Sequence, residues 1–315
     1  MRNLNIMITV FTPTYNRAHL LPRLYESLCR QTFTDFEWVI VDDGSVDDTK
    51  GLVNKFLVDK TQHSTLNTNT IRYFYQENGG KHRAINRGVK EARGELFFIA
   101  DSDDSLPPDA LEQVARVYET VRGDESFGGV CGYMAHHDGT VIGHGNDAEI
   151  LDTNSIDLRN KYHVQGDMME VFRTEVMREF PFPEIPNERF VPEMLVWNRI
   201  ATKYKLRVFH KVIYYRDYLD GGLTDKIVRI RMQSPVASMM TYAEMTRYDI
   251  PLIQKVKAAV NFWRFGACYT RRFLVFSFWF LGQKKQCDIP KLRWYYYLFM
   301  PLGIVFHWKD VHISH

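Results

Sequence analysis

Four short apolar runs, IMITVF at 6–11, WVIV at 38–41, IRYFY at 71–75 and LFFIA at 96–100, each end on a polar cluster that leads into a stretch of helical spacing. The runs are rich in β-branched and aromatic residues, which reads as buried strands. Leu20, Leu21, Leu24 and Leu28 give helical spacing within 18–30, and similar stretches run to about residue 59, over 81–92 and over 108–121. This alternation predicts an α/β fold with a Rossmann-like, doubly wound, mostly parallel sheet. Ligands of such sheets bind beyond the carboxyl ends of the strands. The four polar clusters fall there: Pro13–Arg17, Asp42–Ser45, Asn78–Arg83 and Asp101–Asp104.

The last cluster reads ADSDDSLP at 100–107. If the strand runs on, alternation puts Asp101 and Asp103 on one face. Carboxylates that close repel one another unless a cation joins them. Oxygen-only ligands favour Mn²⁺ or Mg²⁺, shared with substrate phosphates. The competing reading is a solvated turn in which Asp104 or Ser105 caps the next helix. After the second run, Gly44 permits a tight turn, Ser45 or Asp47 can cap a helix, and Asp43 can accept from a nucleobase N–H or a ribose hydroxyl. A plain capped turn fits those residues equally. Pro13–Arg17 supplies a rigid turn and the Tyr15 ring as a stacking face. The stretch Asn78-Gly79-Gly80-Lys81-His82-Arg83 sets cations at a helix start, fit to grip a diphosphate, although a solvated connection would look the same. Glu188 and Glu193 stand at a helix-like segment, either as acids favoured by its dipole or as a general base.

From Ser126 the texture turns Gly-rich and His-containing, which predicts short strands and turns. Residues 1–125 are read as one half of a catalytic domain, 126–225 as the half that shapes a second substrate's pocket, and 226–315 as a helical, basic and aromatic region. Between Lys255 and Arg293 nine Lys and Arg face one acid, Asp288, a local balance of +8 in a chain whose total is +2. The apolar runs at 273–281 and 294–306 are each shorter than the roughly 18–20 residues a membrane span needs. With basic flanks they suit helices lying flat on an anionic membrane surface; the alternative is aromatics packed on the body. Nucleic acid is disfavoured as a partner because the tail is too apolar. Cys29, Cys131, Cys268 and Cys287 have neither CxxC nor zinc-type spacing, and no leader pattern opens the chain. A cytoplasmic protein, peripheral on the inner face of the cell membrane, is the expectation.

Taken together, TVFTPTYNRAHLLPRLYESLCRQTFTDFEWVIVDDGSVDDT and NGGKHRAINRGVKEARGELFFIADSDDSLPPDAL closely resemble the family 2 inverting glycosyltransferases of GT-A fold, over about residues 6–122. The resemblance implies a nucleotide-diphosphate sugar donor, a divalent cation, Mn²⁺ or Mg²⁺, and displacement with inversion at the anomeric carbon. It implies that Pro13, Tyr15 and Asp43 contact the base and ribose, that Lys81 and Arg83 contact the diphosphate or nucleotide, that Asp101 lies near the ribose or sugar, and that Asp103 binds the metal. The family's base is usually the Asp of a Glu-Asp pair shortly before an Arg. Here Glu193 stands six positions before Arg199 and follows Pro192, so Glu193 is the candidate base and Glu188 its rival.

The string Tyr214–Thr224 resembles the closing loop of bacterial cell-surface polysaccharide transferases, which implies a glycan or lipid-linked acceptor. His136, His137 and His210 are read as structural. The alternatives are a sugar-phosphate nucleotidyltransferase, which would release pyrophosphate, and an inactive carbohydrate-binding relative.

Overall fold

The computed structural model describes residues 7–58, 70–144, 148–217, 226–273 and 289–313. The chain forms two compact units, one from residues 1–182 and 197–217, the other from 183–196 and 218–315.

The first unit is built on the predicted alternation. Its opening elements are β1 (Ile8–Thr14), α1 (Leu21–Cys29), β2 (Phe36–Asp42), α2 (Thr49–Val58), β3 (Ile71–Tyr75), α3 (Lys81–Glu91), β4 (Leu96–Ile99) and α4 (Ala110–Glu119). β3, β2, β1 and β4 lie side by side in that order, all parallel. The side chains of β1, β2 and β4 are almost all buried, as a parallel sheet covered on both faces requires, whereas β3, at the end of the order, is half-buried and leaves Tyr75 exposed. Trp38 is enclosed by Tyr25 and Phe56, stacked with it, and its indole N–H donates to Thr12 Oγ1 at 2.9 Å. β1 extends past the apolar run into the polar cluster, through Pro13 to Thr14. Pro13 sits opposite Val41 at the strand's exit, where a missing N–H is tolerated.

Beyond β4 the sheet turns mixed. β5 (Phe127–Ala135) pairs with the two-residue β6 (Val141–Ile142), and β7 (Ile150–Thr153) leads to α5 (Ser155–Asn160). β8 (Met168–Arg173) is followed by α6 (Thr174–Glu179), α7 (Glu193–Ala201) and β9 (Lys205–Tyr215). β8 is antiparallel to both β4 and β5, while β9 is parallel to β5. The Gly-rich segment that reads as short strands and turns opens instead with a nine-residue, wholly buried strand, and only its remainder turns at His136–Thr140 into the two-residue β6. Its glycines serve close packing: a Cβ on Gly129 would lie 2.0 Å from the Val171 carbonyl oxygen, and one on Gly132 2.6 Å from Ile213 Cδ1.

The second unit is helical among its described residues. α8 (Ile227–Gln233), α9 (Pro235–Met245), α10 (Leu252–Phe273), a 3₁₀ helix (Trp294–Phe299) and α11 (Met300–Ile313) follow one another. Tyr242, Ala258, Ala259, Phe262, Phe265, Leu292 and Tyr296 form its core. No described helix is long and apolar enough to cross a membrane. The apolar run at 273–281 lies, but for Phe273, outside the described residues, as do Lys284 and Lys285.

Candidate functional site

The loops after β1 and β2 are laced together by their own polar side chains. Asn16, at φ 53°, donates its N–H to Ser45 Oγ at 2.8 Å, and its Oδ1 accepts from the Val46 N–H at 2.8 Å. Asp47 accepts from the Ala18 N–H at 3.0 Å and from the Thr49 N–H at 3.1 Å, opening α2 as a helix-start acceptor. Between these loops Tyr15 is 48% exposed.

Asp43 is buried at the carboxyl end of β2. It accepts from Gln76 Nε2 at 2.7 Å, from the Gly79 N–H at 2.9 Å and from the Gly80 N–H at 2.7 Å. One carboxylate therefore fixes the loop that feeds α3. Gly44, at φ 88°, allows this approach, since a Cβ there would stand 2.7 Å from Asn78 N. α3 then starts at Lys81, whose Nζ lies 2.7 and 2.8 Å from the two oxygens of Asp101. Arg83 donates to the Gly79 carbonyl at 2.6 Å.

Residues 101–104 are a turn, closed by the Asp104 N–H on the Asp101 carbonyl at 3.1 Å. The strand alternation expected for Asp101 and Asp103 stops with β4 at Ile99, so their pairing on one face does not follow from it. Each acid instead has its own partner. Burial pushes the Asp101 carboxyl up, but the charge and hydrogen bond of Lys81, then Arg216 and Arg17, outweigh it and hold the group below the usual carboxylate range. Asp103 pairs with the Arg17 guanidinium, and Arg23 donates to its backbone carbonyl. Asp104 is buried and accepts from the Tyr214 hydroxyl at 2.8 Å. Burial first, then the charges of Asp101 and Asp103, push Asp104 up to about 7. It does not cap α4, and Asp109 at that cap position makes no side-chain bond there.

Tyr214 serves both ends of the turn. Its hydroxyl donates to Asp104 and accepts from the Asp101 N–H at 2.8 Å. Burial, reinforced by Asp104 and Asp101, raises this phenol well above its ordinary pKa, so it stays a donor. Next to it, Ser105 and Tyr215 exchange backbone hydrogen bonds at 3.1 and 2.8 Å. Ser105 Oγ is 2.9 Å from His137 Nε2, and His137 Nδ1 is 2.6 Å from Asp217 Oδ2. His136 Nδ1 reaches the other oxygen of Asp217 at 3.2 Å. The two histidines thus tie the end of β9 to β5, while His210 stacks on Tyr133. From the far side, α1 steadies the same region through Ser27 Oγ and Gln31, which bond Leu106 N–H, the Pro107 carbonyl and Leu111 N–H.

The candidate bases lie in the second unit. Glu193 opens α7. Glu188 is buried, and its two oxygens accept from the Val236 and Ala237 N–H groups at 2.7 and 2.9 Å, the start of α9. Glu188 is therefore a helix cap. The closing-loop string continues past Asp217 into 218–225, outside the described residues.

Among the described residues no three His, Cys, Asp or Glu side chains are set to hold a metal ion. Asp103 still fits one: Arg17 takes Oδ2, and no hydrogen bond to Oδ1 is made by the described residues. A single open carboxylate oxygen suits Mn²⁺ or Mg²⁺, which complete their shells with water and phosphate oxygens. Sequence reasoning missed Arg17 and Tyr214 as partners of the acids, although both stand inside the strings it singled out.

Comparison with known proteins places these loops in a recognised setting. Residues 9–137 match the model of Glycosyl transferase family 2. Glycosyltransferase GlyG of Streptococcus pneumoniae is 30% identical over 128 residues, 40% of this chain and 40% of that protein. The chain spans about two-fifths of the length of the first curated relatives it matches. Among solved structures, S. aureus TarS 1-349 in complex with UDP superposes with a TM-score of 0.57 at 20% identity, covering 86% of this chain and 72% of that one. A mannosyltransferase, PcManGT from Pyrobaculum calidifontis, in complex with GDP-Man and Mn²⁺, gives 0.53 at 16% identity over 98% of this chain and 88% of its own.

Proposed function

On the premise that residues 9–137 belong to glycosyl transferase family 2 and carry its GT-A fold, we propose that the protein transfers a sugar, with inversion, from a nucleotide-diphosphate donor to a hydroxyl of a lipid-linked or cell-surface glycan precursor. The observation that carries this reading is the meeting of Asp43, Lys81, Asp101 and Asp103 at the carboxyl ends of β2, β3 and β4. The complexes of TarS with UDP and of PcManGT with GDP-Man and Mn²⁺ support a nucleotide-linked donor and a divalent cation.

In this reading the Tyr15 ring stacks on the base beside Pro13, and Asp43 accepts from the base or ribose with lone-pair capacity left over from its clasp on the glycine loop. Lys81 and Arg83 line the diphosphate. Asp101, kept ionised by Lys81, accepts from a ribose or sugar hydroxyl. Asp103 would hold the cation, which when bound neutralises the departing diphosphate. Glu193 takes the proton of the attacking hydroxyl. Glu188, committed to α9, holds the second unit together instead. The protein would work on the cytoplasmic face, at an anionic membrane surface, where such acceptors are held.

A thermal-shift screen of nucleotide sugars with Mn²⁺ tests the donor, because a ligand of the folded state must raise Tm. Release of nucleoside diphosphate on adding acceptor supports transfer. Release of pyrophosphate from a nucleoside triphosphate and a sugar phosphate would replace it with nucleotidyl transfer.

A further inference from the structure

The last helix of the second unit is turned inside out. Along α11, Gly303, His307 and Asp310 recur at the spacing of one helical stripe and face α10. A Cβ on Gly303 would lie 2.4 Å from Trp263 Cβ and 2.7 Å from the Val260 carbonyl oxygen. His307 is buried, with Nδ1 3.5 Å from Cys268 Sγ. Asp310 forms a two-pronged pair with Arg264 at 2.5 and 2.7 Å. A glycine, a histidine and an aspartate therefore point into the protein.

The opposite side is mostly apolar and exposed, with Lys309 and His312 as its polar residues. Leu302, Ile304, Val305, Phe306 and Trp308 are exposed, Val305 by 60% and Trp308 by 61%. In the 3₁₀ helix just before, Trp294 is 79% and Leu298 75% exposed. Single exposed apolar residues are ordinary, but a contiguous group marks a surface that something covers. In water a surface helix presents the reverse arrangement.

Charge identifies the occupant. Lys291 and Arg293, just before Trp294, and Lys309, just after Trp308, are exposed, as is Lys257 on α10. The one acid among the described residues of 252–313, Asp310, is already neutralised by Arg264. A second copy docked on the same face would set these cations against their own kind. Phosphate headgroups would meet them with opposite charge while acyl chains took the apolar side chains, and Trp and Tyr at the boundary are the residues an interface favours. At 14 residues α11 is about 21 Å long, short of the ~30 Å hydrocarbon layer, so it must lie along the surface.

We propose that α11 and the 3₁₀ helix before it are an in-plane insertion element, sinking Trp294, Leu298, Leu302, Val305, Phe306 and Trp308 into an anionic bilayer with Lys291, Arg293 and Lys309 at the phosphates. The inference shares the membrane with the proposed function, but its test involves no sugar transfer, so either can fail alone.

The full chain is floated with phosphatidylcholine vesicles with and without phosphatidylglycerol, and its tryptophan emission is followed with bromine-labelled lipids. Binding to the anionic vesicles, with quenching, is expected. The double variant Trp294→Ser, Trp308→Ser should bind them about tenfold or more weakly. Val58→Ser, an equally exposed apolar change in the first unit, should leave binding as it was. Replacing Lys291, Arg293 and Lys309 by Gln should erase the preference for phosphatidylglycerol. No flotation, or flotation untouched by the tryptophan changes, overturns the proposal. So does a concentration-dependent dimer in sedimentation equilibrium that the same tryptophan changes dissolve, since the face then belongs to a second copy. Unchanged Tm in the variants guards against misfolding.

Discussion

The Arg17 guanidinium pairs with the Asp103 carboxylate, so the acid that fits a cation already carries a counter-charge from the loop after β1. A divalent ion at the open Oδ1 has to bind against that charge. Arg17→Met should therefore raise Mn²⁺ affinity several-fold, read from free Mn²⁺ by electron paramagnetic resonance, while weakening the nucleotide sugar. Asp103→Ala should abolish Mn²⁺ binding and cut transfer on the order of a hundredfold or more, the scale of losing an electrostatic stabiliser. Wild-type turnover in that variant would remove Asp103 from the mechanism.

Tyr214→Phe strips one hydroxyl from two places. The Asp101 N–H loses its acceptor and the Asp104 carboxyl its donor. Leaving buried polar groups unmet costs roughly 1–3 kcal/mol each, partly recovered by relaxation. Urea denaturation should show a loss of about 2–3 kcal/mol.

In metal-free protein the raised pKa of Asp104, about 7, means the folded state holds this proton more tightly than the unfolded chain does. Its stabilising contribution is complete below the ordinary carboxylate pKa and disappears as pH rises through about 7. Asp104→Asn keeps the neutral form at every pH. Melts in chelator should accordingly show the variant gaining on wild type between pH 5 and 8.

Glu188→Gln and Glu193→Gln should separate structure from chemistry. The first places an amide donor against one of two helix N–H donors and should cost about 0.5–2 kcal/mol in unfolding. The second should leave Tm and donor binding alone and lose turnover. A catalytic defect confined to Glu188→Gln would exchange the two roles.

Gly44→Ala forces an L-residue into the left-handed region and drives its Cβ at Asn78 N. Destabilisation of about 1 kcal/mol or more is expected, and nucleotide affinity should fall with it, because Gly79, Gly80 and Lys81 ride on the displaced loop. Unaltered nucleotide binding would detach that loop from the donor site.

How much of this was legible in the chain depends on how local each signal is. The four strands and their exits could be read because every apolar run is bounded by turn residues within a few positions. β5 could not, since Gly129 and Gly132 look like turn formers until the Val171 carbonyl and the Ile213 side chain are seen against them. The acids of 101–104 were found, but strand alternation was carried past the point where the strand ends. Their partners were invisible for another reason: Arg17 is 86 residues from Asp103, and Tyr214 is 113 from Asp101. The orientation of α11 was equally hidden, because its residues name two faces without saying which one meets Trp263.

The backbone bridge between Ser105 and Tyr215, flanked by Tyr214 on the acids and by Asp217 on two histidines, has a consequence for descent. Positions 104, 105, 137, 214 and 217 cannot drift independently, for a change at any one leaves a donor or acceptor elsewhere without its mate. Lineages of this chain should alter them as a set, so the end of β9 would carry an inherited imprint of the acids it supports.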